Sequence, residues 1–169
     1  MRTLFRSAGT ACALWAMTAQ ALAAGYCARP DEMLAIKTAA IQQELMVAAL
    51  YCNDTGSYNL FVTSHQKELQ DSDATLLSYF KRGGGKSGES AYHAYKTALA
   101  NGDSLASLHA MQSYCAAANA MFDSALSPSA APTLADFVVT QSVAGTEDFL
   151  PCREASSVDQ LKIAANRRN

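Results

Sequence analysis

Four cysteines limit the folds open to this chain more than any other feature. They form an even set in the part of the chain expected to be exported: Cys27, Cys52, Cys115 and Cys152. The fifth cysteine, Cys12, lies in an N-terminal segment that we expect to be removed. Paired cysteines in an exported chain favour disulfides. Since no Cys-x-x-Cys pair is present, a zinc-thiolate site is the weaker reading.

Residues 1–23 have the organisation of a signal peptide. Arg2 and Arg6 precede an uncharged run over residues 7–19, and Ala21-Leu22-Ala23 offers small residues where signal peptidase reads them. Polar residues and alanines dilute the run, whereas a membrane anchor needs about 20 strongly apolar residues. We therefore expect cleavage after Ala23, no transmembrane segment in the mature chain, and a periplasmic or secreted location.

Helix length removes one of the three ways to pair four cysteines. Residues 31–51 read as one unbroken helix, whose ends lie about 30 Å apart at about 1.5 Å per residue. Because the Cα atoms of a disulfide must lie within about 7 Å, Cys27 cannot pair with Cys52. Two pairings stay open. We favour Cys27–Cys152 with Cys52–Cys115, which ties the chain ends together, over Cys27–Cys115 with Cys52–Cys152.

Composition and hydrophobic spacing predict an all-α protein. The chain is alanine-rich, with Ala at 33 of 169 positions, half of it is hydrophobic, and 17% is charged, which favours helices and excludes a wholly disordered chain. The net charge of −2 gives no reason to expect a nucleic-acid partner. Short loops favour a compact antiparallel bundle of about five helices over residues 24–126. Residues 127–169 are expected to form an irregular, Pro- and Ser-containing segment that packs on the bundle.

The predicted helices are separated by polar or glycine-containing breaks. Asp71-Ser72-Asp73 is expected to cap a short third helix, and Asn101-Gly102-Asp103 to separate the fourth helix from the fifth, whose buried seam would include Leu108 and Met111. In the C-terminal segment, only residues 134–143 have the pattern of a short helix or strand. The other expected helices cover residues 31–51, the stretch from Tyr58 to Leu69, and residues 89–101.

Residues 81–88, Lys-Arg-Gly-Gly-Gly-Lys-Ser-Gly, are expected to form a mobile loop. Each of the four glycines disfavours a helix by about 1 kcal/mol relative to Ala. The Gly-Lys-Ser end matches part of a phosphate-binding loop, but position 80 is Phe where that motif needs Gly, so we expect no nucleotide cofactor. Lys81, Arg82 and Lys86 make this loop a candidate contact surface for a partner protein or an anionic envelope component.

Histidines supply the candidate metal ligands. His65 and Glu68 stand three residues apart, a spacing found in bundle metal sites, and His93 could join them from another helix. We expect instead that His65 is buried and hydrogen-bonded, that Glu68 points away from it, and that His93 and His109 are solvated. A metal-binding or metal-dependent bundle using His65 and Glu68 is the alternative reading, and no resident metal or cofactor is the main one.

No sequence pattern points to catalysis. A Gly-x-Ser-x-Gly elbow is missing, paired cysteines leave no thiol nucleophile, and no spacing singles out a pair of carboxylates. Tyr92 and Tyr95, three residues apart on a predicted helix, are expected to pack in the core with their hydroxyls at its margin. The sequence therefore favours a binding role and leaves enzymatic activity open.

Four segments carry a resemblance to known sequences: Cys27–Met33, Gln42–Leu50, Tyr92–Lys96 and Tyr114–Cys115. They look like the shared segments of small uncharacterised exported proteins of Gram-negative bacteria, over roughly residues 27–126. That group has no assigned activity, so the resemblance implies a periplasmic or secreted setting and supplies no catalytic residues. We expect a non-enzymatic envelope protein that binds another protein or an envelope component, in an oligomeric state that the sequence leaves open.

Overall fold

The structure is a computed structural model that describes residues 26–127, 129 and 132–152. The predicted signal peptide and the end of the C-terminal segment, from residue 153 onward, lie outside these residues. The described chain forms a bundle of α-helices, as the sequence predicted. Its helices are α1 (Pro30–Tyr51), α2 (Thr55–Ser64), α3 (Gln66–Gly84), α4 (Gly88–His109), α5 (Met111–Ala125) and α6 (Leu134–Thr140), with a 3-10 turn over Gly85–Ser87.

The first helix, α1, lies at the centre of the bundle. It begins with Pro30 in its first turn, and the Glu32 side chain accepts a hydrogen bond from the Arg29 backbone N–H at 2.8 Å. Its alanines let every other α-helix contact it, so it is buried on more than the one face that the sequence predicted. Its length and hydropathy would also allow a membrane crossing, but 61% of its most apolar window is buried inside the protein.

The predicted boundary between the second and third helices is wrong. Asp71-Ser72-Asp73 lies inside α3, and the break falls at His65, between α2 and α3. Asp71 forms an ion pair with Lys67, with 2.6 Å between Lys67 Nζ and Asp71 Oδ2, and this i,i+4 spacing stabilises a helix. His65 interrupts the helix because its ring turns inward to the end of α5, where it contacts the Ala125 carbonyl oxygen.

The prediction of a loop over residues 81–88 is also wrong. α3 continues to Gly84, and α4 starts at Gly88 after a single 3-10 turn. A Cβ on Gly88 would lie 2.5 Å from the Phe80 carbonyl oxygen, and Gly85 has a positive φ of 53° that favours glycine. The glycines are therefore needed for a tight turn and a close approach between the antiparallel helices α3 and α4.

The predicted end of the fourth helix is displaced by two turns. Asn101-Gly102-Asp103 lies inside α4, and the break falls at Ala110, which leaves helical geometry with φ −149° and ψ 55°. The Ser107 side chain is fully buried and donates to the Ser104 carbonyl oxygen at 2.8 Å, within the helix. Because α5 starts only after this break, Leu108 and Met111 are 68% and 54% exposed instead of lying on a buried seam.

Two clusters of buried side chains form the interior. The α5/α6 core joins five helices and contains Ile41, Leu45, Phe61, Leu69, Phe122, Ala125, Leu134, Phe137 and Val138. The α3/α4 cluster contains Ala28, Ala35, Ile36, Ala39, Ala40, Leu76, Tyr79, Tyr92 and Leu99, with Tyr26, Phe80, Tyr95 and Phe149 packed against it. The predicted burial of Phe61 and Phe122 is confirmed, and residues 134–140 form the expected short helix.

Both disulfides have the pairing that the sequence favoured. Cys27 pairs with Cys152 and Cys52 with Cys115, with Cα–Cα distances of 4.7 and 5.6 Å. Beside the first, the Ala28 N–H donates to the Leu150 carbonyl oxygen and the Cys152 N–H to the Ala28 carbonyl oxygen, each at 2.8 Å. The start of the described chain and its C-terminal segment are thus held side by side. Two disulfides indicate an oxidising, non-cytoplasmic environment.

Candidate functional site

An apolar cavity of about 390 Å³ opens beside the α3/α4 cluster. Its walls come from the start of the described chain, the end of α3, the first turns of α4 and the C-terminal segment. Its volume falls within the range of small-molecule sites, about 300–1,000 Å³. The residues that dominate the lining are Tyr26, Tyr79, Phe80, Ala91, Ala94 and Phe149.

The larger walls of this aromatic cavity are rings that support one another. The ring of Tyr79 lies 4.8 Å from that of Tyr26 and 5.7 Å from that of Phe149, and Phe80 lies 6.2 Å from Phe149. On its other side, the Phe149 ring contacts that of Tyr95 at 5.1 Å. These centroid distances fall in the favourable range for tilted and edge-on aromatic pairs. The wall is consequently a contiguous set of packed rings.

Small residues leave the space that the rings enclose. Ala91 and Ala94 line the cavity from the first turns of α4, and Gly83 and Gly84 line it from the end of α3. A Cβ on Gly83 would overlap the Tyr26 ring, so this position admits only glycine unless that ring moves. The cavity exists because rigid rings face residues that are too short to fill the gap.

Arg82 holds the Tyr26 wall from behind. Its guanidinium forms a two-pronged ion pair with Glu32, with Nη2–Oε2 and Nε–Oε1 distances of 2.6 and 3.2 Å, and Nη2 also donates to the Cys27 carbonyl oxygen at 3.1 Å. Glu32 is 1% exposed and also pairs with Arg29 at 3.0 Å. The Arg82 Cζ atom lies 4.7 Å from the Tyr26 ring centre. Arg82 is therefore engaged by Glu32, Cys27 and the Tyr26 ring, while its side chain stays 37% exposed.

The other two cations of the predicted contact surface lie outside the cavity lining. Lys81 pairs with Glu89 at 3.3 Å on the exposed surface. Lys86 is exposed in the 3-10 turn. All three cations, Lys81, Arg82 and Lys86, are exposed, but two of them are engaged in ion pairs, Lys81 with Glu89 and Arg82 with Glu32.

The ionisable groups of the cavity are tyrosines and one carboxylate. Burial, with smaller effects from Tyr26 and Glu32, raises the pKa of Tyr79 to about 12. Burial also raises the pKa of Tyr95, which packs on Phe149 outside the lining of this cavity, with Glu147 contributing in the same direction. These phenols stay protonated near neutral pH, so they offer ring surface and hydroxyl groups. Asp148 is exposed at the rim of the cavity.

A second cavity of about 350 Å³ lies on the other side of Phe149. Its lining includes Tyr95, Leu99 and Asp103, and it shares Phe149 and Asp148 with the aromatic cavity. The Tyr95 hydroxyl reaches the Gly145 carbonyl oxygen at 3.2 Å, which fixes the C-terminal segment against α4. Burial, reinforced by the charge on Glu44, raises the pKa of Asp103 to about 7. One of its oxygens, Oδ2, is buried and has no hydrogen-bond partner among the described residues.

His65 and Glu68 form a hydrogen-bonded relay inside the bundle. His65 is buried, as predicted, but Glu68 turns toward it: Nδ1 lies 3.1 Å from Glu68 Oε2, so that part of the prediction is wrong. His65 Nε2 lies 3.1 Å from the Ala125 carbonyl oxygen, and Glu68 Oε1 accepts from the Leu134 N–H at 2.9 Å. The relay ties α3 to the end of α5 and the start of α6, and it occupies both ring nitrogens.

The remaining candidate ligands lie elsewhere. His93 and His109 are exposed, as predicted, and the His93 ring packs against Tyr92 at 4.9 Å. Within residues 26–127, 129 and 132–152, no group of three or more His, Cys, Asp or Glu side chains could hold a metal ion. The Tyr92 hydroxyl donates to Asp73 at 2.7 Å, beside the Lys96–Asp73 ion pair, so the predicted placement of its ring in the core with its hydroxyl at the margin is confirmed.

Sequence reasoning missed the contribution of the C-terminal segment. Asp148, Phe149 and Leu150 line the aromatic cavity, although their segment was expected only to pack irregularly on the bundle. A usable signal was present, because pairing Cys27 with Cys152 brings Phe149 and Leu150 close to Tyr26. Two of the four rings of the wall could have been placed together from that disulfide.

Comparison with known proteins supplies no family for this chain. No family model matches it, and neither the curated proteins nor the solved structures contain a significant match. The function is therefore inferred from the geometry of its own residues, and the aromatic cavity is the feature that resembles a ligand site most closely.

Proposed function

We propose that this protein is an exported, non-enzymatic envelope protein, periplasmic or secreted, that binds another protein or an envelope component. The observation that carries the proposal is the aromatic cavity. Its walls belong to helices and to a segment fixed by the Cys27–Cys152 disulfide, so little ordering is needed when a ligand enters. Preformed apolar pockets with few polar groups are the usual form of a binding site.

The chemistry of the cavity supports binding over turnover. Acid–base catalysis needs a group whose pKa lies near the working pH. In the aromatic cavity the Tyr79 hydroxyl has its pKa raised to about 12, and Arg82 is held by Glu32; Asp103, with a pKa of about 7, lines the second cavity instead. The rings, by contrast, supply large rigid contact surfaces of the kind that dominate binding interfaces.

Export is supported by two features. Residues 1–23 have the pattern of a signal peptide, and the two disulfides indicate an oxidising compartment. We expect protein recovered from the periplasm of a Gram-negative host to begin at Ala24 and to contain no free thiol. Intact-mass measurement before and after thiol alkylation reads both properties.

The binding role is tested by capture from an envelope extract with one blocking variant and one matched control. Ala94→Trp places a large ring in the cavity from an exposed position of α4, and Ala74→Trp makes the same change on the exposed face of α3, outside the lining. Captured components are crosslinked to the protein before analysis. We expect wild type and Ala74→Trp to capture the same component and Ala94→Trp to lose it, with similar melting temperatures for all three.

Two results would contradict the proposed function. One is equal capture by Ala94→Trp and wild type, which would detach binding from the cavity. The other is turnover by the purified protein of a peptidoglycan, phosphoester or ester substrate, abolished by a single substitution that leaves folding intact.

A further inference from the structure

We infer that the aromatic cavity is a site for a small, flat, uncharged aromatic molecule. This inference rests on the proposed function and names the ligand class of that same site. A cavity of about 150 Å³ lined by apolar residues holds one benzene ring. The aromatic cavity, at about 390 Å³, has room for a molecule of two rings.

The wall geometry favours an aromatic ligand over an alkyl chain. Tyr79, Phe80 and Phe149 pack with ring centres 5.3 to 6.2 Å apart, and all three line the cavity. A further ring could extend this tilted and edge-on arrangement, which gains more than the burial of area alone. The start of α4 and the turn before it line the cavity with the small side chains of Ser87, Ser90, Ala91 and Ala94, which leave room for a flat molecule and offer two hydroxyl groups. An alkyl chain would bury apolar area there without the ring contacts.

The charges around the cavity favour an uncharged ligand. Asp148 at the rim would repel an anion, and among the residues that the structure describes the lining contains no Lys or Arg side chain to offset it. Arg82 stands behind the wall, where Glu32 neutralises it. It also lies 4.7 and 5.6 Å from the centres of the Tyr26 and Tyr79 rings, so a ligand cation would find those faces already in use.

One disulfide holds the walls of the cavity together, and the other lies elsewhere. The Cys27–Cys152 bond directly follows Tyr26 and lies three residues after Phe149, so it fixes two walls at once. The Cys52–Cys115 bond joins the end of α1 to α5, and neither of its cysteines lines the cavity. The two bonds therefore form a matched pair for testing the site.

The test is isothermal titration of the mature, oxidised protein with four probes of similar size. These are 2-naphthol, its anionic analogue 2-naphthoate, the cationic 2-naphthylmethylamine, and the uncharged alkyl alcohol 1-decanol. We expect 2-naphthol to bind with one site per chain and the other three to bind more weakly by about tenfold or more. Tighter binding of 2-naphthoate, 2-naphthylmethylamine or 1-decanol, or no binding of 2-naphthol, would overturn the inference.

Variants locate the binding. We expect Ala94→Trp and the pair Cys27→Ser/Cys152→Ser to lose affinity for 2-naphthol by about tenfold or more, while Ala74→Trp and Cys52→Ser/Cys115→Ser keep it. Phe149→Leu retains apolar volume without the ring and should also weaken 2-naphthol, but not 1-decanol. Titrations are made below the melting temperature of each variant, measured by circular dichroism. Unchanged affinity in Ala94→Trp or Phe149→Leu would contradict the proposed site.

The ligand class and the proposed function can fail separately. If 2-naphthol does not bind but Ala94→Trp loses the envelope component, the aromatic ligand is wrong and the binding role stands. If 2-naphthol binds in the cavity but capture from the envelope extract is the same in Ala94→Trp, the small-molecule site stands and the proposed envelope function is wrong.

Discussion

The α5/α6 core and the α3/α4 cluster are built from different side chains, and the difference explains why the aromatic cavity lies beside the cluster. The core interlocks branched aliphatic side chains with the rings of Phe61, Phe122 and Phe137, contributed by five helices. The cluster sets rings against the alanines of α1 and α4. Flexible aliphatic side chains can fill irregular space, whereas rigid rings facing methyl groups leave gaps. The types of side chain on facing surfaces thus explain where the aromatic cavity lies.

The buried polar groups differ in the same way. Beside the α5/α6 core, His65 and Glu68 join three helices through hydrogen bonds that are buried at His65 and part-buried at Glu68. In the α3/α4 cluster, Glu32 and Arg82 support the back of the Tyr26 wall. The first network joins helices at the edge of the core, and the second positions a ring that lines the aromatic cavity.

The largest contrast should come from removing one ring in each region. We expect Phe61→Ala to lower the free energy of unfolding by about 3–5 kcal/mol, because this side chain is fully buried in the core. Phe149→Ala should cost only about 1–2 kcal/mol, since Phe149 is partly exposed beside an existing cavity. Urea denaturation measures both. Equal losses would mean that the two regions are packed alike.

The support of the cavity wall should show the next largest effect. Glu32→Ala leaves Arg82 without its buried partner, and we expect a loss of about 2–3 kcal/mol, less than for a fully buried pair because both arginines are partly exposed. Asp31→Ala is the control: Asp31 is exposed and pairs only with the exposed side of Arg29, so the change should stay within about 0.5 kcal/mol. Similar melting temperatures for the two variants would remove Glu32 from its supporting role.

Two glycines of α4 should respond in opposite directions to the same methyl group. Gly88→Ala brings a Cβ within 2.5 Å of backbone at Phe80, and we expect a loss of about 1–2 kcal/mol. Gly102 lies in the same helix, and a Cβ there would meet no atom within 4 Å. Gly102→Ala should therefore raise the free energy of unfolding by about 0.5–1 kcal/mol. Thermal melting of the two variants measures the contrast. A neutral Gly88→Ala would show that the turn has the freedom expected of a loop.

A smaller, pH-dependent effect should come from the second cavity. The pKa of Asp103 is raised from 3.8 to about 7, first by burial and then by Glu44, so the folded chain holds a proton that the unfolded chain releases between these values. Stability from this group is therefore greatest below about pH 4, declines as pH rises, and is fully lost above about pH 7.

Asp103→Asn removes that titration. We expect the variant to be more stable than wild type by about 1 kcal/mol near pH 8, after allowing for solvent screening, and to lose this advantage toward pH 4. Melting temperatures measured across this range give the difference curve. A constant difference would show that Asp103 ionises normally in the folded chain.

Helix type, the central helix and the disulfides could be predicted from the sequence because they follow from local spacing and chain geometry. α1 has both a start signal and a long apolar pattern, and its length excluded one cysteine pairing. The helix ends could not be predicted in the same way. Asp71 and Gly102 are residue types that often end helices, yet both lie inside helices here. The break at His65 could not be predicted, because the hydrogen-bond partner of its ring, Ala125, lies 60 residues away in the sequence.

The cavity was harder to predict than the core. The positions of Tyr92 and Tyr95 follow from helical periodicity, but Tyr26 and Phe149 lie outside the helices and are brought together by the Cys27–Cys152 bond and the backbone hydrogen bonds beside it. The glycines near residue 83 suggested mobility, whereas Gly83 admits the Tyr26 ring and Gly85 and Gly88 form the tight turn between α3 and α4. Glycines that disfavour a helix locally can therefore be required by contacts with residues that are distant in the sequence.

The most direct test of the account is a map of where an aromatic ligand binds, obtained by titrating the isotope-labelled mature protein with 2-naphthol and following its backbone amide and aromatic NMR signals. We expect saturable shifts confined to Tyr26, the region from Tyr79 to Ala94, and residues 148–150, with the signals of Phe61, Phe122 and Phe137 unchanged. Shifts centred on the α5/α6 core, or no saturable shifts near the Tyr26 and Phe149 rings, would contradict the assignment of the binding site to the aromatic cavity.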